Sequence, residues 1–395
     1  MKKISKSDLA GLGENTRLVV GGRDPSKYHG FVNPPVYHGS TVLAPTVKDL
    51  LARNQPYVYG RRGTPTTDAL EEAIKAIDAS AGVVLCPSGL AAVGTALMSC
   101  LSAGDHLLMT DTVYGPSRHF CDTVLARFGV ETTYYDPLIG GQIGDLLRAN
   151  TKAVYLEAPG SLSFEMQDIP TIAAVAHAHG AVVLLDNTWA TPLLLDAFAL
   201  GVDLSIQAGT KYVVGHSDAM FGIVSAAPRA WPALKAFHAD AGQCAGPDDV
   251  FLAMRGLRSM GVRLRRHGQS ALQIARWLQA RPEVQRVLNP ALPDDPGHAI
   301  WKRDFKGASG LFSVVLQPGP QAAVEAFLDD LKFFGLGYSW GGFESLAIPF
   351  DCKHYRTATT WNPGGPCVRF HIGLEDIGDL IADLEEGLAR YRAAL

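Results

Sequence analysis

Residues 181–211 read AVVLLDNTWATPLLLDAFALGVDLSIQAGTK and contain two apolar runs that each lead to a residue able to carry charge. The first run, 181–185, is followed at once by Asp186, and the second, 204–207, is followed closely by Lys211. Short apolar runs bounded by turns are typical of strands buried on both faces of a parallel sheet. About one strand–helix–strand crossover separates the two charged residues, so both side chains are predicted to stand at the same edge of one sheet.

The alternation of apolar runs and helical patterns extends on both sides of this stretch, over residues 65–226. Such alternation indicates a mainly parallel sheet that is covered by helices on both faces. Right-handed crossovers then give a doubly wound α/β domain, whose ligands bind beyond the carboxyl ends of the strands. Besides the two runs above, strands are predicted at 83–85, 106–110, 131–135, 153–156 and 221–225, and helices at 67–77, 89–101, 117–127 and 172–179.

The sequence pattern changes after about residue 260. A basic segment at 258–266 leads into a helix that is predicted to end at 278, and strands are predicted at 284–288, 311–316 and 368–371. Residues 1–60 are irregular and rich in aromatic residues, which is typical of an arm that lies on another surface. The expected division is an N-terminal arm at 1–60, a large α/β domain at 61–258 and a smaller C-terminal α+β domain at 259–395.

The composition restricts the classes of protein to which the chain can belong. Its 395 residues are 47% hydrophobic and 19% charged, which supplies a large core and excludes disorder over most of the chain. The net charge of −4, with no basic run that stands out, argues against a nucleic-acid partner. The uncharged stretch 79–104 is interrupted by Pro87-Ser88-Gly89, so we interpret it as strand, turn and helix rather than as a membrane span. Six scattered cysteines without a CxxC pair, and no signal peptide, indicate reduced thiols in a cytoplasmic protein without a metal site.

The pair Asp186 and Lys211 has two interpretations. Taken alone, the two residues are more often a structural ion pair than a reactive site. A lysine with a partly deprotonated amine, however, can bind an aldehyde cofactor covalently, and pyridoxal phosphate requires a carboxylate opposite its pyridine nitrogen. The flanking residues supply the remaining parts: Ser88-Gly89-Leu90 at a strand-to-helix turn suits a phosphate, Thr210 offers a hydroxyl, and Tyr114 at the sheet edge offers a ring for stacking.

Five segments, in order along nearly the whole chain, resemble the pyridoxal-phosphate enzymes of cysteine and methionine metabolism. Residues 203–218 (DLSIQAGTKYVVGHSD) resemble the lysine signature of that family, and 186–189 (DNTW) its aspartate motif. Residues 59–66 (YGRRGTPT) are similar to its phosphate-binding arm, and 339–345 (SWGGFES) together with Arg369 to its carboxylate-binding part. The resemblance implies a fold-type I, aspartate aminotransferase-like enzyme with pyridoxal 5'-phosphate as its cofactor.

The resemblance also implies a role for each matching residue. Lys211 and Tyr114 would be the catalytic residues: Lys211 would hold the cofactor covalently and move protons, and Tyr114 would stack on its ring. Asp186 would pair with the pyridine nitrogen. The phosphate would be bound by Gly89, Leu90 and Thr210, and by Tyr59 and Arg61 from a neighbouring subunit, which makes the site a property of a dimer. The substrate would be bound by Arg369, which pairs with its α-carboxylate, by Ser339, and by Trp340 and Tyr338.

Within the family, the sequence resembles the cystathionine β-lyase branch. Tyr338-Ser339-Trp340 and the segment 157–161 (EAPGS) match that branch, which also shares Ala208 at a position where the wider family often has serine. The resemblance implies α,β-elimination of L-cystathionine to L-homocysteine, pyruvate and ammonia, a step of methionine biosynthesis, by a cytoplasmic homo-oligomer, expected to be a tetramer.

Other reactions remain open because the same scaffold supports several of them. The alternatives are a cystathionine γ-synthase, a cystathionine γ-lyase and a β-lyase acting more broadly on cysteine S-conjugates. A non-catalytic protein that kept the fold is a further alternative, against which the joint presence of Lys211, Asp186, Tyr114 and Arg369 argues. The expected partner is a small-molecule substrate rather than a nucleic acid or a membrane.

Overall fold

The computed structural model describes residues 8, 9 and 11–395, and its larger sheet has seven strands. In sheet order they are β1, β7, β6, β5, β4, β2 and β3, and only β7 runs antiparallel to its neighbours. The predicted doubly wound, mainly parallel sheet is confirmed. The strands are β1 Gly82–Cys86, β2 His106–Thr110, β3 Glu131–Tyr135, β4 Thr151–Glu157, β5 Val182–Asp186, β6 Leu204–Gln207 and β7 Gly222–Ala226.

Helices cover both faces of this sheet and continue into the C-terminal region. Three of the described helices begin with a side-chain cap: Thr46 accepts a hydrogen bond from the Asp49 amide, Thr64 accepts one from the Thr67 amide, and Ser88 accepts one from the Ala91 amide. The helices are α1 Glu14–Val20, α2 Val47–Ala52, α3 Pro65–Asp78, α4 Gly89–Met98, α5 Gly115–Phe120, α6 Ile169–Ala178, α7 Thr191–Leu194, α8 Trp231–Asp240, α9 Pro247–Gln279, α10 His298–Asp304, α11 Gln321–Leu328 and α12 Ile377–Ala393.

A second sheet of five strands forms the smaller domain, in the order β10, β11, β12, β9, β8. The sequence did not predict β10 or β11. The first has only two residues, and the second contains Pro349, which lacks an amide proton for the ladder and reads as a strand breaker. The strands are β8 Val284–Leu288, β9 Leu311–Leu316, β10 Phe334–Gly335, β11 Ser345–Phe350 and β12 Cys367–His371.

The long helix α9 connects the two sheets. It begins at Pro247, whereas its predicted start was near the basic segment at 258–266. A proline in the first turn, followed by Asp248 and Asp249, is the signal for this earlier start. The expected boundary at 258/259 lies inside this helix, and the division into domains stays a prediction.

The N-terminal region is less irregular than predicted. Its residues 1–7 and 10 lie outside the described part of the chain, but α1 packs against α3 and α9 and buries Leu18. The prediction of irregular structure is therefore wrong for α1 and α2, because their apolar spacing is too short to stand out in the sequence. The arm, including α2, exposes large apolar side chains, among them Leu43 and Leu51, which are 86% and 78% exposed. Among the described residues, no helix is both long and apolar enough to span a bilayer.

Candidate active site

Lys211 stands in the turn that follows β6, at the carboxyl edge of the large sheet. Its backbone amide donates to the Ala208 carbonyl at 3.0 Å, and its carbonyl accepts from Gly215 at 2.8 Å, so the turn is fixed on both sides. The Nζ atom donates to the Oγ of Ser339 at 2.9 Å and lies 5.5 Å from the centre of the Trp340 ring. The structure thus brings together a lysine of the large sheet and two residues of the C-terminal region.

Asp186 is the last residue of β5, which is the neighbour of β6. Its Oδ1 accepts hydrogen bonds from the amide of Thr188 at 3.0 Å and from the hydroxyl of Thr188 at 2.5 Å. The same hydroxyl accepts from the Ala208 amide at 2.9 Å, which ties the aspartate motif to the lysine turn. Loss of solvation raises the pKa of Asp186, while Thr188 and the charge of Lys211 act in the opposite direction. The carboxylate is therefore held in one orientation, and its Oδ2 has no hydrogen-bond donor among the described residues.

The amine of Lys211 is electrostatically unusual. Loss of solvation is the main cause that lowers its pKa to about 8, and the positive charge of Arg369 lowers it further, whereas Asp186 raises it. A sizeable fraction of the amine is therefore neutral near pH 8. This is the form that attacks an aldehyde or accepts a proton.

Arg369 lies on β12 and is only 8% exposed, so it is not an ordinary surface charge. Its Nη2 donates to the carbonyl of Ser339 at 2.9 Å, and its Nε has no acceptor among the described residues. Burial lowers the pKa of Arg369 to about 10, and Tyr114 and Tyr338 oppose this shift. Tyr338 itself is 88% exposed. A buried guanidinium with a free donor, beside Lys211, is suited to a carboxylate ligand.

The start of α4 forms a candidate phosphate site. The Ser88 side chain accepts from Ala91 at 3.1 Å, while the amides of Gly89 and Leu90 belong to the first turn, where a helix supplies no acceptor. A Cβ atom on Gly89 would lie 2.5 Å from the Cβ of Ala208, so this position requires glycine. The Thr210 hydroxyl donates to the Phe221 carbonyl at 3.1 Å, so contact with a phosphate requires this hydroxyl to rotate.

Tyr114 precedes α5, and its position depends on Glu157, a residue for which no role was predicted. Its amide donates to Oε2 of Glu157 at 2.7 Å, and Glu157 ends β4 as the register partner of Asp186. Loss of solvation and the neighbouring Asp186 raise the pKa of Glu157 well above its usual value. The sequence does offer one indication of this role, since Glu157 ends an apolar run in the same way as Asp186. The role of Thr188 in orienting Asp186 was also not predicted.

Tyr59 and Arg61 lie apart from Lys211 within one chain. Both line a cavity of about 750 Å³ whose wall includes neither Lys211 nor Asp186. Arg61 donates through Nη1 to the Ala239 carbonyl at 2.6 Å, and Tyr59 is about half exposed. The single chain therefore does not bring these two residues to the lysine.

The residues around Lys211 fit pyridoxal phosphate. The site combines a buried amine of lowered pKa, an oriented carboxylate on the adjacent strand, helix amides open to an anion and a guanidinium with a free Nε. These are the amine, acid and anion-binding groups that this cofactor and an amino-acid substrate require.

The profile of the Cys/Met metabolism PLP-dependent enzyme family matches residues 15–389. The chain belongs to this family. The match confirms the predicted family, its enzymatic class and pyridoxal phosphate as the cofactor. Among the described residues, no group of three or more His, Cys, Asp or Glu side chains could hold a metal ion.

Similar proteins agree with this assignment. A protein of Rhizobium johnstonii, provisionally named a cystathionine beta-lyase, is 56% identical over 99% of this chain and its own full length. The cystathionine beta-lyase of Escherichia coli is 43% identical over 95% of this chain and 98% of its own. The crystal structure of cystathionine gamma synthase from Xanthomonas oryzae in complex with cystathionine superposes with a TM-score of 0.90 at 31% identity, covering 97% of this chain and 100% of that one. The predicted fold-type I class is confirmed.

Proposed function

We propose that this enzyme catalyses the α,β-elimination of L-cystathionine to L-homocysteine, pyruvate and ammonia, as a step of methionine biosynthesis. The observation that carries the proposal is the joint contact of Lys211 and Arg369 with Ser339, which sets a base beside a carboxylate-binding group. The names of the relatives from Rhizobium johnstonii and Escherichia coli support the choice of reaction.

Arg369 and Ser339 orient the substrate in this proposal. The free Nε of Arg369 offers an N–H donor to the substrate α-carboxylate, on the side of the guanidinium that also carries Nη2. Because Arg369 is buried, this pairing occurs at low dielectric and excludes water from one side of the substrate. Trp340 lies beside Lys211 and the exposed Tyr338 lies near Arg369, and both would contact the remainder of cystathionine.

Lys211 moves the protons. Pyridoxal phosphate, when bound, supplies an electron sink for the pair of electrons left when the substrate Cα–H bond breaks. The Nζ of Lys211 accepts the Cα proton and, after the Cβ–S bond breaks, donates a proton to the departing sulfur. The lowered pKa of about 8 makes both transfers feasible near neutral pH. Asp186 would keep a proton on the pyridine nitrogen of the bound cofactor.

Further residues would hold the cofactor. Glu157 holds the Tyr114 backbone, whose ring would stack on the cofactor, and the amides of Gly89 and Leu90 would bind its phosphate. Tyr59 and Arg61 would reach that phosphate from a second copy of the chain. The exposed apolar arm supports this oligomer, for which we propose a cytoplasmic homotetramer, with the division into arm and two domains given above.

Product analysis tests this reaction against its rivals. Incubation with L-cystathionine should release pyruvate and homocysteine, whereas a γ-lyase would release 2-oxobutyrate and cysteine. Formation of cystathionine from cysteine and an activated homoserine would identify a γ-synthase, the activity of the similar Xanthomonas oryzae enzyme. Pyruvate released faster from cystine or other cysteine conjugates would indicate the broader β-lyase. The Lys211→Ala variant is the control, and a protein without turnover on any of these substrates would refute catalysis.

A further inference from the structure

Arg369 shares its strand face with a second side chain that contacts the same loop. His371 follows it by two positions on β12, and successive alternate residues of a strand point to the same face. Arg369 donates to the Ser339 carbonyl at 2.9 Å, and the Nε2 atom of His371 accepts from the Gly341 amide at 3.0 Å. Two side chains of one strand thus hold both ends of the segment 339–341.

This segment lies directly against the backbone of Lys211. Gly341 has a φ of 84°, and a Cβ atom at this residue would lie 2.9 Å from the carbonyl carbon and 3.0 Å from the Cα of Lys211. The same segment presents Ser339 Oγ to the Lys211 amine. A shift of His371 would therefore move the hydrogen-bond acceptor of the lysine.

The hydrogen bonds of His371 determine which of its nitrogens carries the proton. An Nε2 that accepts from an amide must be unprotonated, so the proton of a neutral ring is on Nδ1. The Gly342 carbonyl, 3.2 Å from the same Nε2, would need the opposite tautomer. That contact is longer, and the tautomer it needs would leave the buried Gly341 amide without an acceptor. We therefore assign the tautomer that accepts from Gly341.

A second buried histidine, His267, offers an acceptor nitrogen that suits the Nδ1 proton of His371. His267 lies 5.2 Å from His371 between ring centres, and its Nδ1 must donate to the Ile372 carbonyl at 2.8 Å, which leaves Nε2 as an acceptor. Neither Nδ1 of His371 nor Nε2 of His267 has a partner among the described residues, and both rings are fully buried. Nδ1 of His371 is thus a donor without an acceptor, and Nε2 of His267 is an acceptor without a donor.

We propose that His267 and His371 form a neutral imidazole pair, in which one water molecule accepts the Nδ1 proton of His371 and donates to Nε2 of His267. The pair positions segment 339–341 against Lys211 and contacts neither substrate nor cofactor. This inference rests on the proposed function only in that the KM measurement below uses cystathionine as the substrate.

The charges around the pair favour its neutral form, because most of them are positive. Arg263 faces His267, and both Arg369 and Lys211 face His371. Glu344 is the acidic group near His267 and acts in the opposite direction. The Tyr212 ring packs at 5.5 Å from His267 and 6.1 Å from His371. Loss of solvation is the main cause that lowers the pKa of His267 to about 4 and that of His371 to about 3.

Nitrogen NMR of the full-length protein loaded with cofactor tests the tautomers. The chain has 12 histidines, so imidazole-labelled protein would be compared with the His267→Gln and His371→Gln variants to assign the two signals. Both rings should be neutral and protonated on Nδ1 from pH 6 to pH 8. An Nε2 proton on His371, or titration of either ring above pH 6, would overturn the proposal.

Two variants test the positioning role. His371→Gln keeps a side-chain acceptor for Gly341, whereas the similarly sized His371→Leu does not. The leucine variant should raise KM for cystathionine about tenfold more than the glutamine variant, and it should shift the pKa of the Lys211 amine in cofactor-free protein. A folded leucine variant with wild-type KM and wild-type lysine pKa would refute the role. If that variant does not fold, the NMR result on the wild-type protein decides, and product analysis of the wild type tests the reaction separately.

Discussion

The Nζ atom of Lys211 donates a 2.9 Å hydrogen bond to the Oγ of Ser339, which joins the large parallel sheet to the C-terminal region. Arg369 holds the carbonyl of the same serine, so the base and the carboxylate-binding group share one anchor. The site therefore exists only while the two regions are packed together. Changes at this junction should alter substrate binding and the reactivity of the lysine simultaneously.

The first prediction concerns the lysine amine in the cofactor-free protein. Its reaction with a small acylating reagent, followed by peptide mass spectrometry, should increase with pH around a midpoint of about 8. Arg369→Leu should raise this midpoint because it removes a positive neighbour, and Asp186→Asn should lower it because it removes a negative one. A midpoint near that of exposed lysines would contradict the described environment.

The second prediction concerns Asp186→Asn. Asparagine keeps the size of the side chain but cannot stabilise a positive charge on the pyridine nitrogen. Because breaking a buried ion pair costs about 3–5 kcal/mol, turnover should fall at least about 100-fold, with weaker cofactor binding measured by absorption titration. Thr188→Val is the matched control: it keeps the charge, removes one hydrogen bond to Asp186, and should cost much less. Equal losses in the two variants would exclude charge as the cause.

The third prediction concerns Arg369. Replacement by leucine should raise KM for cystathionine about 10- to 100-fold, because a hydrogen bond to a charged group contributes about 1.5–3 kcal/mol. It should also lower kcat, since the carboxylate pair orients the Cα–H bond. Arg369→Lys keeps the charge but not the fork of donors, and should recover only part of the loss. Unchanged kcat/KM in Arg369→Leu would remove this residue from the substrate site.

The fourth prediction concerns Glu157. Because the folded protein raises its pKa, this carboxyl contributes stability that is present below about pH 4, the pKa of an unfolded glutamate, and that is lost as the pH rises. Glu157→Gln still offers an oxygen to the Tyr114 amide and does not ionise. Cofactor-free Glu157→Gln should therefore melt at a higher temperature than the wild type at pH 8, and the difference should shrink at pH 4. A difference that is larger at pH 4 would reverse the assigned sign.

The sequence predicts those site residues whose position follows from the end of one strand. Asp186 and Lys211 each follow an uninterrupted apolar run, and such runs identify strands and their ends without knowledge of the rest of the fold. The contacts that complete the site depend on tertiary packing. Nothing local indicates that Glu157 accepts from Tyr114, 43 residues earlier, or that His371 accepts from Gly341, 30 residues earlier.

Two further limits of the sequence have physical causes. Strand β11 was missed because Pro349 interrupts its pattern, although the proline is accommodated next to β12. Tyr59 and Arg61 match a phosphate-binding segment, yet within one chain they line a different cavity. Their proposed contact requires a second copy of the chain, so neither a local pattern nor the fold of one chain can reveal it.

The most direct test of the account is borohydride reduction of the protein loaded with pyridoxal phosphate, followed by mass spectrometry of its peptides. Lys211 should carry the reduced cofactor, and Lys211→Ala should carry none. Recovery of the cofactor on another lysine, or an unmodified Lys211 in protein that binds the cofactor, would show that Lys211 does not hold the cofactor.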